Sequence, residues 1–381
     1  MNHPFLRLAS AMLAAGLVSS FAVQLEAAPG GSVVPGTGSH IDYVGDDFED
    51  TNWSFINNFP KSSREQDERM RSPTGKSTNH RWKEGPERGQ PDQLKVVPTP
   101  PGGLLGSNYS LLMRTINSGI PGRRTFTVQQ DDLIANCIGR LGSTISPGDI
   151  PNVVARVYLP PAEEWENRTG PHFGFRISTS TVATKRTSKG FFGSRGETKA
   201  EPYWPGIWVH FRSKGSRNAK EDSAFLTVRG NTRGQDVRYK EIPVEQFGWW
   251  TLGMSVTPNG QIHYYAKQGV DDLTEKDYLT SQFPYSYSAQ SFRTFFFDVC
   301  NNDDGKTWST PFIIDDPKLY LVNASRVAAN VKRKVERDAR RESQKNAKKS
   351  RSAKKQQTAK KDITIATDNP TASRPKKTRT R

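Results

Sequence analysis

The sequence is poor in cysteine and methionine, with 2 Cys and 5 Met among 381 residues. After residue 23 no segment is apolar enough to span a bilayer as a helix. Before residue 324 no amphipathic helix exceeds about two turns. The histidines lack zinc-ligand spacing, and no phosphate-cradling Gly-rich loop stands out. The sequence thus gives no signal for a later transmembrane span, a zinc site or a nucleotide-binding loop.

The N-terminus has the pattern of a signal peptide. Arg7 closes a short n-region, and residues 8–23 form an apolar run of about 16 residues, which is short for a bilayer-spanning helix. Small residues follow at Ala27 and Ala28. We predict a signal peptide over residues 1–27 and a secreted or extracytoplasmic protein, at the cell surface or in the periplasm. A retained N-terminal anchor is the alternative.

The two cysteines, Cys137 and Cys300, are far apart in the chain. In an oxidising compartment they are candidates for one disulfide, which would close a loop of roughly 160 residues and contribute about 4–5 kcal/mol. The equally favoured alternative is two buried thiols that act as small hydrophobic side chains.

Positive charge is concentrated at the C-terminal end. From Ala324 onward the chain has 20 Lys and Arg against 5 Asp and Glu, whereas the rest has 35 against 34. No Phe, Trp or Tyr follows Tyr320. We therefore predict that residues 324–381 form a basic tail with a short helix capped by Ser325, disordered from about residue 346, that binds anionic polymers.

The pattern of residues 109–322 predicts a series of β-strands separated by turns. Ten stretches show period-two alternation or a short apolar run, separated by Gly, Pro, Asn or Asp. The sequence Thr257-Pro-Asn-Gly between two of them predicts a hairpin. We predict an all-β fold, a two-sheet antiparallel jelly-roll sandwich. The predicted strands are 109–115, 133–141, 153–159, 172–178, 206–212, 224–229, 249–256, 261–267, 292–299 and 312–322.

Two segments before these strands are predicted to be irregular. Residues 28–40 are rich in Gly, Pro and Ser and predict a linker, so the sandwich should span residues 41–323. Residues 61–103 are mostly polar, with many Pro and Gly, and predict long surface loops.

Three features resemble the concanavalin A-like lectin and glucanase superfamily. They are the opening Asp46-Asp47-Phe48-Glu49 with Trp53, the hairpin that starts at Phe247-Gly-Trp-Trp, and the closing Phe312-Ile-Ile-Asp-Asp-Pro-Lys-Leu-Tyr. The resemblance implies a jelly roll over residues 41–323 in which the last strand lies beside the first. This fold carries lectins, hydrolases, lyases and structural modules alike, so it does not fix a function.

The catalytic motifs of the enzymes in this superfamily are not reproduced. The Glu-x-Asp-x-x-Glu strand of its retaining glucanases is absent, and Glu163, Glu164 and Glu166 lie beside two prolines that indicate a loop. Alginate-lyase-like members have a Gln-Ile-His strand far from a Tyr-x-Lys strand, whereas here Gln261-Ile-His263 and Tyr265-Ala-Lys267 share one segment. We therefore assign no catalytic residue from the sequence.

Alternation sorts three central strands into an apolar and a polar face. Aromatic rings on the polar face would stack on sugars, and arginines there would pair with carboxylate or sulfate groups. The alternative is a solvated face on which Arg stems merely cover the sheet. The candidate ligand-binding residues are Arg156, Tyr158, Arg176, Trp208, His210 and Arg212.

The sequence predicts no cofactor, with calcium as the one possibility. If the first and last strands pair, they bring together carboxylates that are typical Ca²⁺ ligands, although solvated caps are the favoured explanation. The candidate metal ligands are Asp46, Asp47, Asp315 and Asp316.

Two functions remain open. The first is a non-catalytic, monomeric surface protein whose sandwich binds a polysaccharide or glycoconjugate, especially an acidic one. The second is a secreted lyase or glycoside hydrolase that acts on acidic glycans, with His210 or His263 and Tyr265 moving protons and Arg176 or Arg212 neutralising a carboxylate. The missing catalytic motifs favour binding.

Overall fold

The computed structural model describes residues 31–187 and 195–367. The predicted signal peptide, the first residues of the predicted linker and the end of the tail lie outside the described residues. The chain divides into two units, Met1–Ala329 and Asn330–Arg381. No helix among the described residues is long and apolar enough to cross a membrane.

The first unit is built from antiparallel strands, because most of its segments alternate apolar and polar residues or contain β-branched and aromatic runs. The strands are β1 (Ser39–Gly45), β2 (Phe55–Ile56), β3 (Lys76–Ser77), β4 (Trp82–Glu84), β5 (Gln93–Pro98), β6 (Tyr109–Arg114), β7 (Gln129–Ala135), β8 (Pro151–Leu159), β9 (Gly170–Thr187), β10 (Arg195–Tyr203), β11 (Gly206–Arg212), β12 (Ser223–Arg229), β13 (Val237–Pro243), β14 (Gly248–Val256), β15 (Ile262–Gln268), β16 (Tyr278–Gln282), β17 (Ser291–Asn301) and β18 (Phe312–Leu321). The helices are α1 (Arg64–Asp67), α2 (Cys137–Leu141) and α3 (Ser325–Thr367).

These strands form two sheets, which confirms the predicted sandwich. Sheet A has the order β16-β15-β14-β8-β18-β6-β5, and β1 also pairs with β18. Sheet B has the order β13-β12-β11-β9-β17-β7-β4-β3-β2, and β10 pairs with the second half of β9. The first strand therefore lies beside the last, as predicted.

The core lies between the two sheets. Phe173 of β9 stacks on Phe312 of β18, with ring centroids 4.3 Å apart, and Phe297 of β17 lies 6.0 Å from the same ring. Val209 and Phe211 of β11 are also buried. The apolar face predicted from alternation is thus the face that packs in the core.

The predicted loop region 61–103 is more ordered than expected. It contains β3, β4 and β5, and Trp82 of β4 is fully buried against Phe295 and Phe297. Lys61 is buried too, and its Nζ contacts carboxylate oxygens of Asp92 and Asp131 at 2.8 and 2.6 Å. The polar composition here reflects buried ion pairs and short strands rather than surface loops.

Two further boundaries differ from the sequence prediction. The predicted strand 133–141 is the end of β7 followed by α2, which ends at Gly142 in a left-handed conformation that suits glycine. Part of the predicted linker contacts sheet A, since Gly36 N donates to Asn152 Oδ1 at 2.7 Å and Ser255 Oγ donates to Val33 O at 2.6 Å.

Helix α3 starts at Ser325, where a short helix was predicted, and continues to Thr367. Its Ala, Lys, Arg, Gln and Glu residues are strong helix formers, which accounts for the added length. Within the described part of α3, Val327 is the buried residue. Disorder of the tail stays a prediction.

Candidate functional site

The six predicted ligand-binding residues do not form one patch. Arg156 and Tyr158 lie on β8 in sheet A, whereas Arg176 lies on β9 and both Trp208 and Arg212 lie on β11 in sheet B. The single outer face expected from the sequence was therefore wrong. Alternation shows which side of its own strand a residue occupies, but it does not show which sheet the strand joins.

The two residues of sheet A have structural partners. Arg156 is buried, and its guanidinium donates to Val270 O at 3.0 Å and to Asp272 Oδ1 at 2.7 Å. The ring of Tyr158 packs 5.4 Å from that of Trp249. Arg156 therefore binds the loop after β15 rather than standing free on a face.

In sheet B, Arg176 and Trp208 share the face opposite the core. Gly206 pairs with Arg176 and Trp208 pairs with Gly174, so a glycine faces each large side chain across the strands. A Cβ at Gly174 would lie 3.1 Å from Trp208 Cε3 and 2.7 Å from Asp298 Oδ2, and one at Gly206 would collide with the Arg176 side chain. These glycines leave the space that the side chains occupy.

Trp208 is covered by its neighbours and is only 3% exposed. The guanidinium carbons of Arg176 and Arg229 lie 5.3 and 5.4 Å from its ring centroid. Arg176 is itself fixed, since it donates to Trp204 O at 2.8 Å and lies 3.4 Å from Asp298 Oδ1. The predicted open stacking platform at Trp208 is thus a closed cation–π layer.

Beside this layer lies a pair of buried carboxyl groups that the sequence analysis missed. Asp132 of β7 and Asp298 of β17, here called the aspartate pair, are directly opposite each other in the strand register. Gln130 Nε2 donates to both, at 3.3 and 2.8 Å. Burial, and then the charge of Asp298, hold the pKa of Asp132 well above its usual range, so this site favours a protonated carboxyl.

The arrangement of the aspartate pair does not suit glycoside hydrolysis. Retaining enzymes hold their two carboxyl groups about 5 Å apart, and inverting enzymes roughly 6.5–9.5 Å apart. Asp132 and Asp298 are directly opposed on neighbouring strands, and Asp298 Oδ1 is already in contact with Gln130 and Arg176. Both residues are also buried.

One signal in the sequence could have identified this pair. Asp298 lies between Phe295-Phe-Phe297 and Val299-Cys300, so it interrupts an apolar run, whereas Asp132 lies where the polar half of β7 meets Leu133-Ile-Ala135. A carboxylate within such a strand is costly to bury unless it is protonated or paired. The sequence could not show that Asp132 and Asp298 face each other, because that depends on how β7 and β17 are aligned.

At the other end of β11, three side chains form a more accessible basic group, here called the arginine cluster: His210, Arg212 and Arg238. Arg238 lies 3.9 Å over the ring of Phe225, and that ring also stacks on His210 at 4.9 Å. Glu241 is 3.9 Å from Arg212 and also pairs with Arg238. The cluster has one carboxylate for two guanidinium groups.

The Nε atoms of Arg212 and Arg238 are buried without a hydrogen-bond acceptor among the described residues, and Nη2 of Arg238 has the ion pair with Glu241 as its contact. Burial, together with the charge of Arg212, lowers the pKa of Arg238 to about 10. Burial lowers the pKa of His210 to about 4, so its ring is neutral at pH 7 and bonds Thr227 Oγ1 through Nε2 at 2.9 Å. Such a cluster favours an anionic ligand.

The candidate metal ligands have protein partners. Asp46 Oδ2 accepts from Asn79 and from the indoles of Trp53 and Trp82 at 2.7–3.2 Å, and Asp315 Oδ2 accepts from Ser107 at 2.7 Å. The remaining partners are Lys318 for Asp316 and the backbone of Glu49 for Asp47. Within 31–187 and 195–367, no group of His, Cys, Asp or Glu has a metal-binding arrangement. Calcium binding stays a prediction.

The candidate disulfide is not formed, because Cys137 and Cys300 are both free and buried. Cys137 contacts Thr294 and Phe295 near one end of β17, whereas Cys300 lies near the other end. Five residues of strand separate them by about 17 Å, and a disulfide requires Cα atoms within roughly 7 Å. The alternative of two buried thiols describes the structure.

The groups proposed for an elimination reaction are also separated. His263 and Tyr265 lie on β15 of sheet A, whereas Arg176 and Arg212 lie in sheet B. His263 is buried between Thr257 Oγ1 at 2.9 Å and Ser281 Oγ at 2.5 Å. His263 and Tyr265, the predicted proton-transfer groups of β15, are therefore not beside the arginines that were predicted to neutralise a carboxylate.

No protein-family profile matches the chain, and no curated protein is similar to it. Several solved structures are weakly similar. A carbohydrate esterase from the Shiga toxin-encoding bacteriophage phi24B has 10% identity and a TM-score of 0.34, with 64% of this chain and 90% of that chain covered. An alginate lyase from Pseudomonas aeruginosa has 9% identity and a TM-score of 0.33, with 60% and 86% covered. An endo-β-1,4-glucuronan lyase from Trichoderma reesei has 13% identity and a TM-score of 0.29, with 61% and 89% covered. Similarity this low carries no argument about function.

Proposed function

We propose that this protein is an exported carbohydrate-binding protein whose sheet B binds an acidic polysaccharide or glycoconjugate at the arginine cluster. The observation that carries the proposal is the pair of buried, acceptor-free Nε atoms on Arg212 and Arg238. A carboxylate or sulfate group supplies the missing acceptors and offsets the repulsion between the two guanidinium groups.

Binding rather than catalysis is favoured by the neighbouring groups. The aspartate pair is buried, and His210 hydrogen-bonds to Thr227 and stacks on Phe225. His210 has its pKa lowered to about 4 by burial and bonds Thr227, and Glu241 is paired with both arginines. The cluster therefore recognises charge without the acid and base that a lyase or hydrolase needs.

The test is to replace Arg212 and Arg238 singly by Ala in the full chain. We expect each change to weaken binding of oligogalacturonate about tenfold, the scale of a lost charge-assisted contact. Tryptophan fluorescence is the readout, because it reports only on the sandwich. Arg233→Ala, on the exposed turn before β13, is the matched charge control. Unchanged affinity in both cluster variants would refute this site.

The pH dependence of binding is a second readout of the same test. His210 stays neutral above its pKa of about 4, and Arg238 stays charged below its pKa of about 10. Affinity should therefore be flat from pH 5 to 8 once the ligand is ionised, and protonation of His210 should strengthen it near pH 4.

A second binding activity is proposed for the tail, which has 20 basic and 5 acidic residues from Ala324 onward. Such a segment binds DNA, sulfated glycans or anionic envelope polymers by counterion release, without reading their sequence. Loss of DNA binding on removal of residues 330–381 is the test.

A further inference from the structure

Two connections cross between the sheets at the end of the sandwich where β17 ends and β7 begins. They are residues 115–128 and residues 302–311, and hydrogen bonds hold them together. The Asp303 carboxylate accepts from Thr125 N at 2.9 Å and Thr125 Oγ1 at 2.8 Å. Ser309 N donates to Thr115 O at 2.8 Å, and Thr115 N donates to Ser309 Oγ at 3.0 Å. The two connections thus form one fixed surface.

This surface carries two exposed aromatic rings. Phe126 is 70% exposed, and Trp308 is 38% exposed. Phe126 has a φ of 53°, in the left-handed region that is unfavourable for a bulky residue, and its N–H bonds Asp303 O at 3.4 Å. The fold holds a large ring in solvent at a cost in backbone energy, which is the kind of strain found at ligand-binding positions.

The charges around the rings are mainly positive. Arg123, Arg124 and Lys306 are exposed, and the guanidinium of Arg114 lies 5.4 Å from the centroid of Trp308. Arg114 Nε also donates to Ser309 O at 3.1 Å, which fixes it against the ring. Two carboxylates lie nearby: Asp304 accepts from the backbone N–H groups of residues 306 and 307 and interacts with Lys306, and the exposed Glu164 interacts with Arg114. Four basic side chains against two carboxylates leave the surface with a positive balance.

We propose that these connections form a second carbohydrate subsite, the loop-end surface. Its rings stack on the faces of pyranose units, while its cations pair with carboxylate or sulfate groups of the same polymer. The proposal extends the function assigned to the arginine cluster and rests on it for the ligand class. The loop-end surface consists of Arg114, Arg123, Arg124, Phe126, Lys306 and Trp308.

The strand order places the two subsites within reach of one chain. Arg212 ends β11 at the edge of sheet B where β9 begins and β17 ends. With neighbouring strands about 4.8 Å apart, β17 and β7 lie roughly 10 and 14 Å from β11. An acidic polysaccharide of several sugar units that contacts both subsites gains affinity that a short oligomer lacks.

The experiment compares galacturonate trimers and decamers on the full chain by tryptophan fluorescence. The basic tail is silent in this readout, because no aromatic residue follows Tyr320. Phe126→Ala should weaken decamer binding about tenfold and leave trimer binding at the arginine cluster unchanged. Trp308→Ala should also weaken decamer binding about tenfold, and Trp308→Phe should retain decamer affinity, both read from the fluorescence of the remaining tryptophans.

Leu105→Ala is the matched control, since Leu105 is a fully exposed apolar residue outside both connections. Wild-type decamer affinity in Phe126→Ala with unchanged melting would overturn the loop-end subsite and leave the arginine cluster intact. Loss of decamer binding in Phe126→Ala together with no effect of Arg212→Ala would support the loop-end subsite and refute the arginine cluster.

Discussion

Trp208 shows how neighbours remove an outward-facing residue from solvent. The guanidinium carbons of Arg176 and Arg229 lie 5.3 and 5.4 Å from the ring centroid, and the ring edge lies close to Gly174. The ring is therefore buried like a core residue although it lies on the outer face. We expect Trp208→Ala to lower the free energy of unfolding by about 3–5 kcal/mol, the cost of a large buried aromatic truncation. Urea denaturation measures this. A loss below about 1 kcal/mol would mean that the ring is exposed in solution.

The aspartate pair should make stability depend on pH. The pKa of Asp132 is raised by burial and by Asp298, so the folded state favours the protonated carboxyl. Its contribution to stability is complete below the unfolded pKa of about 4 and is lost as pH rises through the raised folded pKa.

Asp132→Asn keeps a neutral hydrogen-bond donor and removes the titration. We expect its free energy of unfolding, relative to wild type, to rise by up to about 1.4 kcal/mol for each pH unit above pH 4 until the native pKa is reached. Denaturation curves at pH 4.5, 6 and 7.5 test this. Asp47→Asn, at an exposed position, is the control and should show no such trend. Parallel curves for Asp132→Asn and wild type would contradict the raised pKa of Asp132.

Part of the site was predictable from single residues. Alternation correctly placed Phe173 and Val209 in the core and Trp208 on the opposite face. Alternation could not predict that Arg229 of β12 would contact the ring of Trp208 on β11, because that contact depends on which strands are neighbours in the sheet. For the same reason Arg156 was grouped with residues of the other sheet.

At the scale of elements, strong local patterns were reliable and short polar strands were not. β11 has the predicted bounds, and β14 and β15 meet at the predicted turn, where Gly260 has a φ of 79°. β4 and β5 were missed because their sequences show no clean alternation. A short apolar run such as Cys137–Leu141 reads equally well as strand or helix, and only its Gly142 terminus indicates helix α2.

The first turn of helix α3 has tertiary contacts, whereas the residues that follow it are mostly exposed. Val327 is 2% exposed, and Arg326 pairs with Asp149 at 2.5 Å, so the first turn belongs to the sandwich unit. The described side chains from residue 328 to 341 are exposed or half-buried. The helix there rests on the intrinsic preference of Lys, Arg, Ala and Glu, which is marginal for an isolated helix in water.

In the whole molecule, the excess of positive charge and the aromatic residues lie in different parts of the chain. The residues before Ala324 are nearly balanced in charge, with 35 basic and 34 acidic, and they contain all the aromatic residues. The sandwich can therefore bind through placed contacts, while the tail binds through net charge alone. The two modes differ in their response to salt, since counterion release makes tail binding fall steeply with added salt.

Two shortened chains separate these roles. A chain ending at Ala329 keeps the first turn of α3 and should unfold with the same free energy as the full chain. A chain ending at Asn323 loses Val327 and the ion pair of Arg326 with Asp149, and should be less stable by about 1.5 kcal/mol, the burial of one valine. Both should lose salt-sensitive binding to DNA but keep fluorescence-detected binding of oligogalacturonate. Equal stability of the two chains would mean that Val327 adds nothing. Retained DNA binding that still falls with salt would place the polyanion site on the sandwich. The arginine cluster, whose two guanidinium groups share a single carboxylate, would then have to account for both activities.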